Sequence, residues 1–294
     1  MLPISLLLWL AFEIATYLHI GRVWLGADWP TAIIGVIGGL LGVRAGINAV
    51  TWTFAIALGS PAPALGALRR FRLMVDEYLA FLLSFVLVIP FERLWMPADR
   101  LPSGRPVGLR VHGYFCSRGV RWLLRRRLEA AGYAVATVSL FPPYTSIGKL
   151  VPQLNARIEA VCANAGCKQV TLVAHSMGGL VCRSYLARHG TDRVDRLLTL
   201  ATPHQGSELA SIGVGQNARE MSPGSLWLRD MAAEPVSIPA TSLRNPYDNY
   251  CMPQDNQRLP GMTDMELPPV GHLAMLYDKR IADLLIECLA RKTR

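Results

Sequence analysis

Polar and apolar positions divide this chain unevenly. Residues 1–68 carry only four formal charges, Glu13, Arg22, Asp28 and Arg44, and charged side chains return at an ordinary density from Arg69 onward. A step of that kind separates two parts that face different solvents. Leu2 to Ile20 is apolar but for Glu13 and His19, and Ala32 to Leu58 is apolar apart from Arg44, Asn48 and a few threonines. Both approach or exceed the roughly twenty residues a helix needs to cross about 30 Å of hydrocarbon. A third segment, Tyr78 to Phe91, is shorter and gains that length only if Leu94, Trp95 and Met96 extend it. The pattern predicts a membrane-anchoring region over residues 1–98 with two or three hydrophobic helices.

The first segment lacks a basic leader and is followed by more apolar chain, so it reads as an uncleaved anchor and not as a signal peptide. Glu13 and Arg44 are costly against lipid and are expected to face another helix or each other. Arg69, Arg70 and Arg72 follow the second segment, whereas the loop 21–30 carries only Arg22 against Asp28. The positive-inside rule then places the 59–72 loop in the cytoplasm. Two spans would put the remainder of the chain there too; three would put it outside.

From Arg105 the periodicity changes. Short apolar runs at Val107–His112, Ala134–Leu140, Gln169–Ala174, Val194–Ala201, Val236–Leu243 and Met262–Leu267 alternate with helical patterns at Arg118–Ala131, Ile147–Asn164, Met177–His189 and Leu273–Arg291. Near-continuous apolar strands separated by helices argue for a mostly parallel sheet covered on both faces, so residues 99–294 are expected to form an α/β catalytic domain.

The most informative stretch is Ala174-His175-Ser176-Met177-Gly178-Gly179, between one such strand and one such helix. Strand, tight turn and helix in that order are the context of a nucleophile elbow, in which small neighbours let the turn lift a serine hydroxyl clear of the sheet. Ala174 stands where glycine is usual. A serine hydroxyl needs a base within hydrogen-bond reach and an acid behind it, in the chain order Ser, acid, His. Three histidines follow Ser176. His189 ends the helix that starts at the elbow, and His204 follows a strand end and could edge the site. His272 lies in the loop before the closing helix, at the strand edge where the elbow lies, and is the expected base. Asp248 lies just beyond the fifth strand run and is the expected acid; Asp255 is further out and Asp264 falls near the last strand. Backbone N–H groups of Met177, at the helix start, and of Tyr114, in the loop His112-Gly113-Tyr114-Phe115, are the expected oxyanion donors. His112 reads as an orienting residue.

Val111-His112-Gly113-Tyr114, the elbow, Asp248-Asn249-Tyr250-Cys251-Met252-Pro253 and Val270-Gly271-His272-Leu273-Ala274-Met275-Leu276-Tyr277 together resemble bacterial triacylglycerol lipases of the α/β-hydrolase superfamily. The small lipases that also carry Ala before the elbow are closest, and Ala201-Thr202-Pro203-His204-Gln205-Gly206-Ser207 is similar to a segment of lipases and lipid deacylases. The resemblance covers residues 105–294. It implies an α/β-hydrolase domain, the triad Ser176, Asp248 and His272, oxyanion donors Tyr114 and Met177, no cofactor, and an ester or lipid substrate. The segment 203–235 is longer than in a minimal lipase and is expected to form a partial lid, so acyl preference does not carry over.

Composition adds less. The chain has 294 residues, is 51% hydrophobic with a mean hydropathy of +0.28, and has a formal net charge of +9. The densest basic cluster, Arg118, Arg121 and Arg125-Arg126-Arg127, reads as a solvated helix face or as a surface for anionic lipid; no aromatic-basic interleaving suggests a nucleic-acid partner. Six cysteines include Cys162 and Cys167, which could close a small loop in an oxidising compartment, but no CxxC pair supports a metal site. The expected whole is a membrane-anchored serine ester hydrolase, in a bacterial inner membrane by resemblance. A phospholipid deacylase, an acyltransferase and a non-catalytic membrane interaction protein are the alternatives.

Overall fold

The computed structural model describes residues 2–291. Helix α1 (Leu2–His19) continues through a wider π turn, Ile20–Trp24, and a short link leads into α2 (Trp29–Leu58). Asp28 caps α2, its carboxylate accepting the Thr31 N–H at 2.9 Å, with a proline in the first turn. Such a cap satisfies one of the helix's orphan donors. The two helices run antiparallel: Gly21 meets Ala32, Tyr17 lies against Gly39, and Glu13 meets Arg44. A Cβ on Gly39 would sit 2.8 Å from the Tyr17 ring, so close packing explains that glycine, whereas Gly35, Gly38 and Gly42 meet nothing.

Arg44 donates from both terminal nitrogens to the two carboxylate oxygens of Glu13, at 2.8 and 2.5 Å, and the pair is buried in the seam. The expected pairing of these charges is what the structure contains. Outside the seam, Leu8, Trp9, Phe12, Ile33, Ile34 and Ile37 are exposed. A helix apolar all round has no aqueous face.

The third apolar segment differs from its sequence reading. Helix α3 begins eleven residues earlier, spans Ala67–Leu82 and runs on through a π turn, Leu83–Val88. It is amphipathic, with Leu73, Glu77, Ala80 and Phe81 buried on one side. Ala80, Phe81 and Ile89 share a core with the covering helices of the sheet, and Ser84 bonds the Tyr277 hydroxyl at 2.7 Å. One side of this stretch is packed against the α/β domain, while Leu79, Leu87 and Phe91 remain exposed. A short helix α4 (Glu92–Trp95) and an irregular linker follow.

The α/β domain contains a six-stranded, all-parallel sheet. Its strands are β1 (Val107–Val111), β2 (Ala134–Thr137), β3 (Val170–His175), β4 (Val194–Leu200), β5 (Ala240–Arg244) and β6 (Thr263–Glu266), in the order β2-β1-β3-β4-β5-β6. Helices α5 (Trp122–Ala130), α6 (Ile147–Ala165), α7 (Met177–His189) and α10 (Lys279–Ala290) cover it. One core, around Leu109, Leu172, Leu154 and Leu180, lies under α6 and α7; the other, around Val173, Leu198, Leu124 and Leu285, lies under α5 and α10. The segment after β4 holds α8 (Gln216–Glu220) and α9 (Leu226–Ala232), packed through Ala218, Met221, Leu228 and Met231, while Ile212, Val214 and Leu226 remain exposed.

The basic cluster is not a solvated face. Arg121 is 1% exposed and donates to the carbonyls of Val111 and Val173, tying the ends of β1 and β3 together. Arg125 is 4% exposed and meets Asp99 at 2.9 Å, where Arg157 joins it at 2.5 Å; only Arg126 stands fully in solvent. Arg stems long enough to reach buried acceptors explain why helix periodicity misplaced them. Cys162 and Cys167 are unbridged, as are the other four cysteines.

Removing one member of a buried ion pair strands the other charge. Arg44→Met is therefore expected to destabilise the helical hairpin by about 3–5 kcal/mol. The double variant Glu13→Leu/Arg44→Leu should recover most of that loss. Thermal unfolding in detergent micelles, compared across the two variants, checks both.

Candidate active site

Ser176 stands at the end of β3 with φ 55° and ψ −133°, a left-handed conformation that costs a non-glycine residue free energy. Three neighbours hold it there. Its N–H donates to Leu200 O at 2.9 Å, its carbonyl accepts the Thr202 hydroxyl at 2.9 Å, and α7 starts at the next residue. The glycines after it are steric necessities. A Cβ on Gly178 would come within 2.6 Å of the Val111 and His112 carbonyls, and one on Gly179 would overlap Thr202. Ser176 itself is partly exposed, and its hydroxyl has no hydrogen-bond partner among the described residues.

His272 lies in the loop between β6 and the closing helix, and Asp248 in the loop after β5. The His272 Nδ1 is 2.8 Å from Asp248 Oδ2 and 3.0 Å from Oδ1. Asp248 is completely buried, and its Oδ1 accepts the N–H groups of Tyr250 and Cys251, both at 2.7 Å. With Asp248 accepting at Nδ1, the imidazole carries its proton there and Nε2 is left as the basic nitrogen. Tyr250 stacks on the ring, centroids 4.9 Å apart, and His175 lies 4.5 Å away on the elbow side. His175 Nε2 donates to His272 O at 3.1 Å, which links the elbow directly to the base loop. Burial opposes a charge on His272, yet the Asp248 carboxylate and its hydrogen bond outweigh it and hold the imidazole above its ordinary value.

The alternatives for acid and base are engaged elsewhere. Asp255 pairs with Arg258, and Asp264 with Arg244 and Arg258. His189 stacks on Tyr185 at the far end of α7, and the buried His204 bonds Thr199.

The loop after β1 closes the site. A Cβ on Gly113 would lie 2.9 Å from Ser176 Cβ, so this loop passes against the serine. The N–H groups of Tyr114 and Met177 have no acceptor among the described residues; Met177 is the first residue of α7, where helix N–H groups lack intrahelical partners. His112 orients the loop. Its Nε2 accepts the Leu140 N–H at 2.8 Å, so Nδ1 is the protonated nitrogen and donates to Gly113 O at 2.8 Å. Burial lowers its pKa to about 4, which keeps it neutral. The Tyr114 hydroxyl donates to Val214 O at 2.5 Å and accepts the Val214 N–H at 2.8 Å, latching the 203–235 segment to this loop.

Three side chains that the sequence reading passed over also touch the site. Asn249 accepts the His272 N–H at 3.2 Å and donates to Thr51 of α2 at 2.8 Å. Glu77 of α3 accepts the N–H groups of Leu273 and Ala274 at 2.9 Å. A glutamate in the middle of the apolar stripe Leu73, Ala80, Phe81 was the available signal. No group of three or more His, Cys, Asp or Glu able to hold a metal occurs among the described residues.

A family model described as alpha/beta hydrolase fold matches residues 112–231. The chain is 34% identical over 128 residues to the lysosomal thioesterase PPT2 of Rattus norvegicus, a match covering 41% of this chain and 42% of that one. It is 43% identical over 58 residues to a triacylglycerol lipase of Pseudarthrobacter phenanthrenivorans, covering 20% of this chain and 18% of the lipase. The match thus spans well under half the length of either relative. Among solved structures, the mature lipase BlEst2 of Bacillus licheniformis superposes with a TM-score of 0.57 at 19% identity, covering 66% of this chain and 96% of that one. These findings, with the parallel sheet and the strand–turn–helix at Ser176, establish the architecture: the chain has an α/β-hydrolase fold, preceded by N-terminal helices, with distant homology to PPT2 thioesterases and triacylglycerol lipases.

Proposed function

We propose that this protein is a membrane-anchored serine hydrolase that cleaves carboxylic esters of lipid-like molecules through an acyl-enzyme. The observation that carries the reading is the 2.8 Å bond between Asp248 and His272, beside a serine held at a strained strand–helix turn. In the proposed reaction Ser176 Oγ attacks the ester carbonyl while His272 Nε2 takes its proton. The tetrahedral oxyanion binds the Tyr114 and Met177 N–H groups, each worth on the order of 3 kcal/mol. Collapse expels the alcohol, which receives the proton back from His272; water, activated by the same base, then releases the acid. The similarity to a thioesterase favours a second reading on the leaving-group side, a thiol in place of the alcohol, with the acyl half unchanged.

The anchor is the second part of the proposal. Leu2–Trp24 and Trp29–Leu58 are long and apolar enough to span a bilayer, and their outward faces are apolar. The Gly59–Gly66 loop contacts the α/β domain, so both lie on one side; the adjacent arginines favour the cytoplasmic side. An enzyme held there meets bilayer-resident esters at a high effective concentration.

Ser176→Ala and His272→Ala are each expected to lower kcat by on the order of 10⁴–10⁶. A fluorophosphonate should label wild-type Ser176 and neither variant; absence of label on folded wild type would sink the proposal. Because the base must be neutral, kcat/KM should rise with pH through a value above 6.5. Asp248→Asn removes the carboxylate that holds that value up, so its residual activity should have an acid limb at lower pH, measured by a pH–rate profile. Alkaline carbonate washing of membranes checks the anchor: the full chain should stay in the pellet, and release into the supernatant would contradict it.

A further inference from the structure

We infer that the N-terminal helices complete the catalytic site, with Glu77 acting as a positioning residue that holds the His272 loop against Asp248 and Thr51 bracing that loop through Asn249. The inference rests on the proposed roles of Ser176 and His272. The loop carrying His272 belongs to no strand, so its backbone donors must be held by side chains. Three consecutive N–H groups are: His272 by Asn249 at 3.2 Å, Leu273 by Glu77 at 2.9–3.0 Å, and Ala274 by Glu77 at 2.9 Å. Gly271 has no room for a Cβ because the Glu77 side chain occupies that space. The Asn249 amide reaches Thr51 on α2 at 2.8 Å, so helices on both sides of the 59–66 loop grip the same turn.

A glutamate buried completely, with no cation paired to it among the described residues, is expensive unless its charge has a use. Here the carboxylate receives two N–H groups and faces the ring that becomes cationic in the reaction. Desolvation raises its pKa to about 7, partly offset by the Ala274 and Leu273 N–H bonds and by His272. Asp248, Tyr250 and Tyr277 are the other titratable groups that interact with it, while Arg72, Asp76 and Arg280 lie on the outer, solvent-facing groove of α3. Protonating Glu77 removes a negative charge behind His272 and weakens its grip on Leu273 and Ala274. Two protonations, of Glu77 and of His272, therefore act on the same acid limb.

The test is the pH dependence of Ser176 labelling by a fluorophosphonate, and of kcat and KM on a soluble ester, for the full-length protein in detergent micelles. The wild type should lose rate on its acid limb more steeply than tenfold per pH unit. Glu77→Gln should label at least tenfold more slowly at pH 8, lower kcat with little change in KM, and show an acid limb no steeper than tenfold per unit. A Glu77→Gln protein with the wild-type rate and limb overturns the inference. Should that variant fail to fold, Thr51→Val decides: a several-fold loss of kcat at unchanged KM and melting temperature supports the brace, and wild-type kcat overturns it. Absence of label on folded wild type would instead remove the hydrolase reading itself.

Discussion

Close approach of three chain segments at the carboxyl edge of the sheet is the constraint on which the rest depends. The elbow at Ser176, the loop after β1 and the Thr202 turn after β4 pass so near each other that Gly113, Gly178 and Gly179 leave no space for a side chain. Interiors packed to that density are bistable at best and do not deform smoothly. The serine's positive φ is tolerated because the Leu200 carbonyl, Thr202 and the start of α7 over-determine it. The same packing sets the loop that carries Tyr114 against the serine, and neither the Tyr114 nor the Met177 N–H has an acceptor among the described residues.

His272 and Asp248, the proposed base and acid, are held by a different route. Neither belongs to a strand or helix, so side-chain bonds replace the ladder that fixes Ser176. Asp248 is held by two backbone N–H groups of its own loop, and His272 by Asp248, Asn249 and the flanking rings of His175 and Tyr250. The low dielectric that strengthens each bond also penalises each orphan, and in this network His175 Nδ1 and the Tyr250 hydroxyl are buried without a partner among the described residues. Its members come from β3, from the loop after β5, and from α2 and α3, elements distant in the chain.

That origin changes how the apolar first third relates to the α/β domain. The hairpin α1–α2 presents an apolar exterior, but its end is sewn to the acid loop. Ser60 donates to Gln254 at 2.6 Å, Gln254 donates to the Asp248 carbonyl at 2.7 Å, and Tyr247 donates to Pro63 O at 2.9 Å. One hydrophobic core holds residues from α3 together with β3, β4 and α10. The N-terminal helices and the α/β domain are continuous at the candidate site, not joined by a free linker.

Much of this was legible along the chain. Apolar runs placed all six strands, with edges off by a few residues, and α7 with its bounds unchanged, because buried parallel strands and amphipathic helices impose different periods. Ser176, Asp248 and His272 could be picked as candidates in that order because the elbow is a local feature and each candidate partner follows a strand end. The arginines at 118–127 were misplaced for one reason: periodicity reports what a segment is made of, and not whether water or protein covers it. Glu77 and Thr51 were invisible for a related reason. Their contacts lie 196 and 198 residues away in sequence, and only tertiary packing, which alone sets the dielectric and the hydrogen-bond partners of a buried carboxylate, brought them to the histidine loop.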